Sequence, residues 1–132
     1  MRVVLGVAIT LWTLVAWGGR IGLLTSGEGL WAWVRIGGSL AIGLFAAATL
    51  LLPQLEGARR WALIVFSLFT VALWARSLWV NWAGDGTMAF KLVHTVLAIG
   101  FFALAAWSFA LANGTVGTTP QPQAMPTQEV RR

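Results

Sequence analysis

"WAGDGTMAFKLVH", residues 82–94, joins one apolar run to the next. It carries Asp85 between two glycines, then Lys91 and the only histidine, His94. The stretch "TSGEGLWAWVRIG", residues 25–37, stands 57 positions earlier and repeats its corner, Gly27-Glu28-Gly29 against Gly84-Asp85-Gly86. Sliding the chain on itself by that interval aligns residues 11–50 with 68–107 without a gap. Thirteen of the 40 pairs are identical, including Thr13/Thr70, Trp17/Trp74, both corner glycines and "LAIG" at 40–43 and 97–100. Leu and Ala identities come cheaply in apolar sequence, so the Gly-acid-Gly corner and the Trp match carry the argument. Self-similarity at a fixed period sets architecture before other signals are read. It predicts a tandem duplication of a two-helix hairpin.

Composition identifies the solvent those hairpins face. The chain has 132 residues, of which 58% are hydrophobic and 10% charged. Soluble domains carry roughly 25% charged residues, so the deficit exceeds twofold. Apolar runs predict four spans at Val3–Leu24, Trp31–Leu52, Trp61–Trp82 and Ala89–Ala112. At about 1.5 Å per residue each reaches about 33 Å, enough for a hydrocarbon core of roughly 30 Å. Period-2 alternation is absent, which argues against a β-barrel. A cleaved signal peptide with Arg2 as its n-region is the alternative for the first span. The length of that run, the lack of an A-x-A site and its partner later in the chain argue against it. The expected fold is therefore an all-α membrane protein with four transmembrane helices in two tandem parallel-repeat hairpins. Its parts are 1–52, a linker at 53–60, 61–112 and a disordered C-terminal tail at 113–132, polar and Pro-bearing.

Each hairpin crosses twice, so both enter from the same side, related by a pseudo-twofold axis along the membrane normal. Arg2, Arg59, Arg60, Arg131 and Arg132 fall on the terminus side, and Arg20, Arg35, Arg76 and Lys91 on the corner side. The compact Arg59-Arg60 pair places the termini in the cytoplasm by the positive-inside rule. That implies a multi-pass protein of the cell's inner (plasma) membrane. The net charge of +5 needs no nucleic acid, because cations flanking membrane segments account for it. With no Cys, neither a disulfide nor a thiolate metal site can form.

Small residues forecast packing. Ala41/Ala48 and Gly43/Ala46 give the second helix two smooth faces, repeated as Ala98/Ala105 and Gly100/Ala103 on the fourth. Ser39-x-x-x-Gly43-x-x-x-Ala47 reads as intrachain packing, with a homodimer seam as the functional alternative. Gly84 and Gly86 tolerate positive φ, and Asp85 or Thr87 can cap the next helix. The competing account of the acids is a cation site formed by Glu28 and Asp85 across the axis. Corner-side Trp17, Trp31, Trp33, Trp74, Trp79 and Trp82 read as an aromatic belt.

Asymmetry between the copies marks candidate ligand-binding residues. His94 answers to Gly37, and Lys91 precedes it by three on the same helix face. Arg76 answers to Gly19. Ionisable groups at membrane depth point to function, so Arg76, Asp85, Lys91 and His94 are a candidate cluster for a quinone, a lipid or an ion. In the structural alternative, Arg76 and Lys91 snorkel to the headgroups and His94 bonds a backbone carbonyl or Thr95. There is no nucleophile–base pair, no nucleotide loop and no metal cluster in the sequence. One histidine cannot hold a two-histidine haem within this chain, and no cofactor is implied.

"FKLVHTVLAIGFFALAAW" after "WARSLWVNWAGDG" resembles the second hairpin of small uncharacterised actinobacterial membrane proteins with a V-H-x-x-L stretch. The four-span size is also similar to DoxX-like proteins, but "LWAWVRIGGSLAIGLF" has no intramembrane acid, so no redox role is transferred. The expected function is a non-enzymatic scaffold or accessory subunit of a membrane complex, in contact with the bilayer and either homodimeric or bound to a larger membrane complex. A small-molecule module at the corner-side cluster is the alternative.

Overall fold

The computed structural model describes residues 1–21 and 29–114. Among them every regular element is helical. We number four helices: α1 (Arg2–Trp17), α2 (Leu30–Leu51), α3 (Arg59–Ala83) and α4 (Met88–Ala112). A 3₁₀ turn, Gly18–Arg20, extends α1, and another, Pro53–Ala58, leads into α3. Within α2 the stretch Trp33–Gly37 widens into a π-helix. The proposed tail from residue 115 onward and Glu28, with its postulated cation site, lie outside the described residues.

Three helices are long and apolar enough to cross a membrane: α2, α3 with its 3₁₀ lead-in, and α4. The first helix is apolar but has only 16 residues, about 24 Å at about 1.5 Å per residue. It stops at Trp17 because Gly18-Gly19 follows, and glycine makes a poor helix interior. The expected span to Leu24 is therefore not one unbroken α-helix. The second connection is tight. Pro53 has no N–H to donate and sits at the start of its turn, where none is needed.

The outer surface is apolar. Val15 is 71% exposed, Leu68 63% and Ile99 62%. Contiguous apolar surface on this scale marks a face for a membrane or for other proteins.

The helices close a four-membered ring. Packing is most extensive within α1–α2 and within α3–α4, and thinner across α2–α3 and α1–α4. Small residues set the closest approaches. A Cβ on Gly43 would stand 2.6 Å from Thr13 Oγ1, and one on Gly100 would collide with the Trp12 indole. Trp12 Nε1 donates to Leu97 O at 3.2 Å. Ser67 Oγ lies 2.9 Å from Ala105 O and 2.7 Å from Leu63 O. With little hydrophobic drive between helices in lipid, such close packing and interhelical hydrogen bonds carry the association.

Ser39, Gly43 and Ala47 are buried inside the chain, so this row is spent on intrachain packing. The smooth-face expectation holds only in part: Ala46 and Ala98 are buried, but Ala41 and Ala103 are exposed. Two tryptophans also depart from the belt. Trp17 and Trp74 are buried, their rings 5.9 Å apart. Trp74 stacks on Phe101 at 5.0 Å. Trp31, Trp33, Trp61, Trp79 and Trp82 stay exposed.

The corners differ in detail from expectation. Gly29 takes φ 78° as the N-cap of α2, a conformation that favours glycine. Gly84 is extended at φ −88°, and neither it nor Gly86 has positive φ. Thr87, not Asp85, caps α4, its Oγ1 accepting from Phe90 N at 3.3 Å. At the far end Glu56 Oε1 meets Arg59 Nη1 at 2.7 Å and Arg2 Nη1 at 3.5 Å. Arg59 Nε donates to Thr49 O at 2.9 Å, tying α3 to the end of α2.

Gly43→Val puts two methyl groups into Thr13. It is expected to destabilise the bundle by about 1–3 kcal/mol, read as a lower thermal midpoint in detergent. Ala41→Val, on an exposed position, should leave that midpoint close to the parent value.

Candidate functional site

At the corner end of the described bundle, polar groups gather in two places rather than one. The first centres on His94. Its position on α4 turns inward, and the side chain is 6% exposed. Nδ1 lies 2.9 Å from Phe90 O, one turn back on the same helix. Nε2 lies 3.1 Å from Arg20 Nη2, from the turn after α1. A guanidinium can only donate. Nε2 must therefore carry the lone pair, and the ring proton sits on Nδ1, where it donates to the carbonyl. The neutral imidazole thus has both nitrogens engaged. The Phe90 ring covers it with centroids 4.0 Å apart, and Arg20 also lies 5.4 Å over Trp17.

The second place lies between α2 and α3. Arg76 sits 5.0 Å over the Trp31 ring and lines a cavity of about 70 Å³ together with Arg35, Ser77 and Asn81. Trp17 and Trp74 form its inner wall, so the aromatic core and this cavity share a boundary. Arg35 is placed there by the π-helical stretch of α2. A π segment inside an α-helix is a frequent mark of a functional site.

The four residues singled out from sequence therefore separate. His94 pairs with Arg20, and Arg76 shares a cavity with Arg35. Lys91 lies half-buried against Trp82, its Nζ 3.4 Å from Trp82 O and 5.9 Å from that ring. Asp85 is exposed in the corner. Nothing in the arrangement joins Asp85 to His94 as an acid–base pair. Among the described residues, no group of three or more His, Cys, Asp and Glu could hold a metal ion.

Sequence reading missed Arg20 and Arg35. Both were findable by the asymmetry that flagged His94, since Arg20 answers to Ser77 and Arg35 to Leu92 across the 57-residue interval. Their location near predicted loops masked them, because cations at helix ends are ordinarily anchors. Comparison with protein-family models, curated proteins and solved structures finds no match for the chain.

His94→Ala leaves the partly buried Arg20 without its ring acceptor. Losing a buried hydrogen bond of this kind costs about 1–3 kcal/mol, so the thermal midpoint in detergent should fall. His94→Gln keeps an acceptor for Arg20 and should recover part of the loss. Equal stability of parent and H94A would show that the pair holds nothing together.

Proposed function

We propose that this chain is a non-enzymatic four-helix membrane protein that acts as a scaffold or accessory subunit of a larger membrane complex. What supports this reading is how the buried polar side chains are used. His94, Trp12 and Ser67 each bridge helices or satisfy a carbonyl. The single histidine, the best candidate for chemistry, has both nitrogens taken. Around this fixed interior lies an apolar surface for lipid or neighbouring helices.

The bundle is read as two tandem hairpins. Burial supports this along α1 and α3, where Leu5/Ala62, Gly6/Leu63, Ile9/Phe66, Thr13/Thr70 and Trp17/Trp74 are all buried at the 57-residue interval. Equivalent residues Trp17 and Trp74 meet each other, as side chains beside a twofold axis would. Along α2 and α4 the buried faces match better at 58, as Ile36/His94, Gly43/Phe101, Ala47/Ala105 and Leu50/Ser108. One residue is about 100° on a helix, so the second helix of each hairpin has turned while the first has kept its face. In this reading the two copies parted through their second helices. The termini face the cytoplasm of a plasma membrane.

A second reading, a small-molecule binding module at the corner end, draws on the cavity beside Arg35 and Arg76. Native purification in mild detergent separates the two. The scaffold reading expects a stoichiometric membrane partner or a second copy that survives gel filtration. A monodisperse monomer with no protein partner would defeat it. A reporter active only in the cytoplasm, fused after Arg132, is expected to be active.

A further inference from the structure

The cavity between α2 and α3 is walled on its polar side by donors. Arg35 and Arg76 bring guanidiniums, Ser77 a hydroxyl and Asn81 an amide. Asn81 Nδ2 approaches Ser77 Oγ at 3.5 Å. Accepting there leaves the serine O–H to point elsewhere. The volume of about 70 Å³ is about two water volumes at about 30 Å³ each. That suits one tetrahedral group.

Depth points the same way. Arg76 lies about 26 Å up α3 from Arg59 at about 1.5 Å per residue. With Arg59 at one boundary of a hydrocarbon core roughly 30 Å thick, Arg76 falls just inside the other. The cavity thus lies a few ångströms below the phosphates of the corner-side leaflet, a gap that a long guanidinium side chain reaching outward can span. The corner end is also basic in sequence, with Arg20, Arg35, Arg76 and Lys91 against Glu28 and Asp85. Planar guanidiniums are the side chains best shaped for phosphate oxygens, and the Trp17–Trp74 wall lowers the local dielectric and strengthens the attraction. Trp31, stacked on Arg76, orients that guanidinium without neutralising it.

We propose that Arg35, Arg76, Ser77 and Asn81 form a binding site for a phosphate-type oxyanion, presented either by a lipid headgroup or as a free ion. This rests on the small-molecule reading above and gives it a ligand chemistry and a residue set. The site is separate from the His94–Arg20 pair, which stays a structural contact.

The test uses the full chain purified in mild detergent and native mass spectrometry with three probes: phosphatidylglycerol, phosphatidylcholine and inorganic phosphate. Preferential retention of phosphatidylglycerol over phosphatidylcholine, without inorganic phosphate, identifies an anionic headgroup. Retention of inorganic phosphate identifies a free oxyanion. In either case R76Q should weaken binding by about tenfold, the order expected for losing one charge-assisted hydrogen bond. S77A should weaken it less, and R60Q, at the opposite end, should not change it. Because R35Q sits on the packed π-helical stretch, the exposed Arg76 carries the decision if R35Q fails to fold. Binding that R76Q leaves intact overturns the proposal. A neutral small molecule co-purifying in place of any phosphate also overturns it while leaving the small-molecule reading standing. Purified protein free of any retained small molecule ends both.

Discussion

The aromatic cluster of Trp17, tilted at 54° against Trp74, and Phe101, stacked on Trp74, ties together three of the four helices, and the rest of the corner end is arranged around it. Inside a bilayer, burying these rings gains little from leaving water, since the surrounding tails are as apolar as the core. What the cluster supplies is dense dispersion contact and a fixed spacing. From that spacing two polar features follow. Arg20 rests over the outer side of Trp17 and is thereby aimed at His94. On another side Trp17 and Trp74 together wall the cavity of Arg35 and Arg76. An aromatic seam thus separates a satisfied histidine from a donor-lined hollow.

Much of the fold is legible in the sequence because lipid imposes a simple demand. Every backbone group in the hydrocarbon must be bonded within its own segment, so a long uncharged apolar run reads directly as a helix. The limits of α3 and α4 lie within two residues of expectation for that reason. The first helix is shorter than its apolar run, because hydropathy does not register the entropy cost of Gly18-Gly19. Hydropathy is equally blind to the π-helical stretch at Trp33–Gly37, whose residues would serve an ordinary α-turn as well.

The polar sites are less legible. Arg20 and His94 are 74 residues apart, and no spacing rule links them. Arg76 and Arg35 face one cavity only because α2 and α3 turn those faces together. Tryptophan gives the sharpest lesson. Trp17 and Trp79 are the same residue type at the same end of the bundle. One is 3% exposed and the other 77%. An interfacial belt and an aromatic core draw on one amino acid, and only the helix rotation tells them apart.

The brevity of α1 bears on how the bundle is made. A 16-residue helix is a poor stand-alone anchor in a bilayer whose core asks for about 20 apolar residues. It gains its place by pairing with α2 through Gly6 and Gly43. Arg20, at the end of that first segment, has no imidazole to donate to until position 94 has emerged from the ribosome. The contact that fixes the end of the first segment is thus supplied from the fourth helix, 74 residues further along.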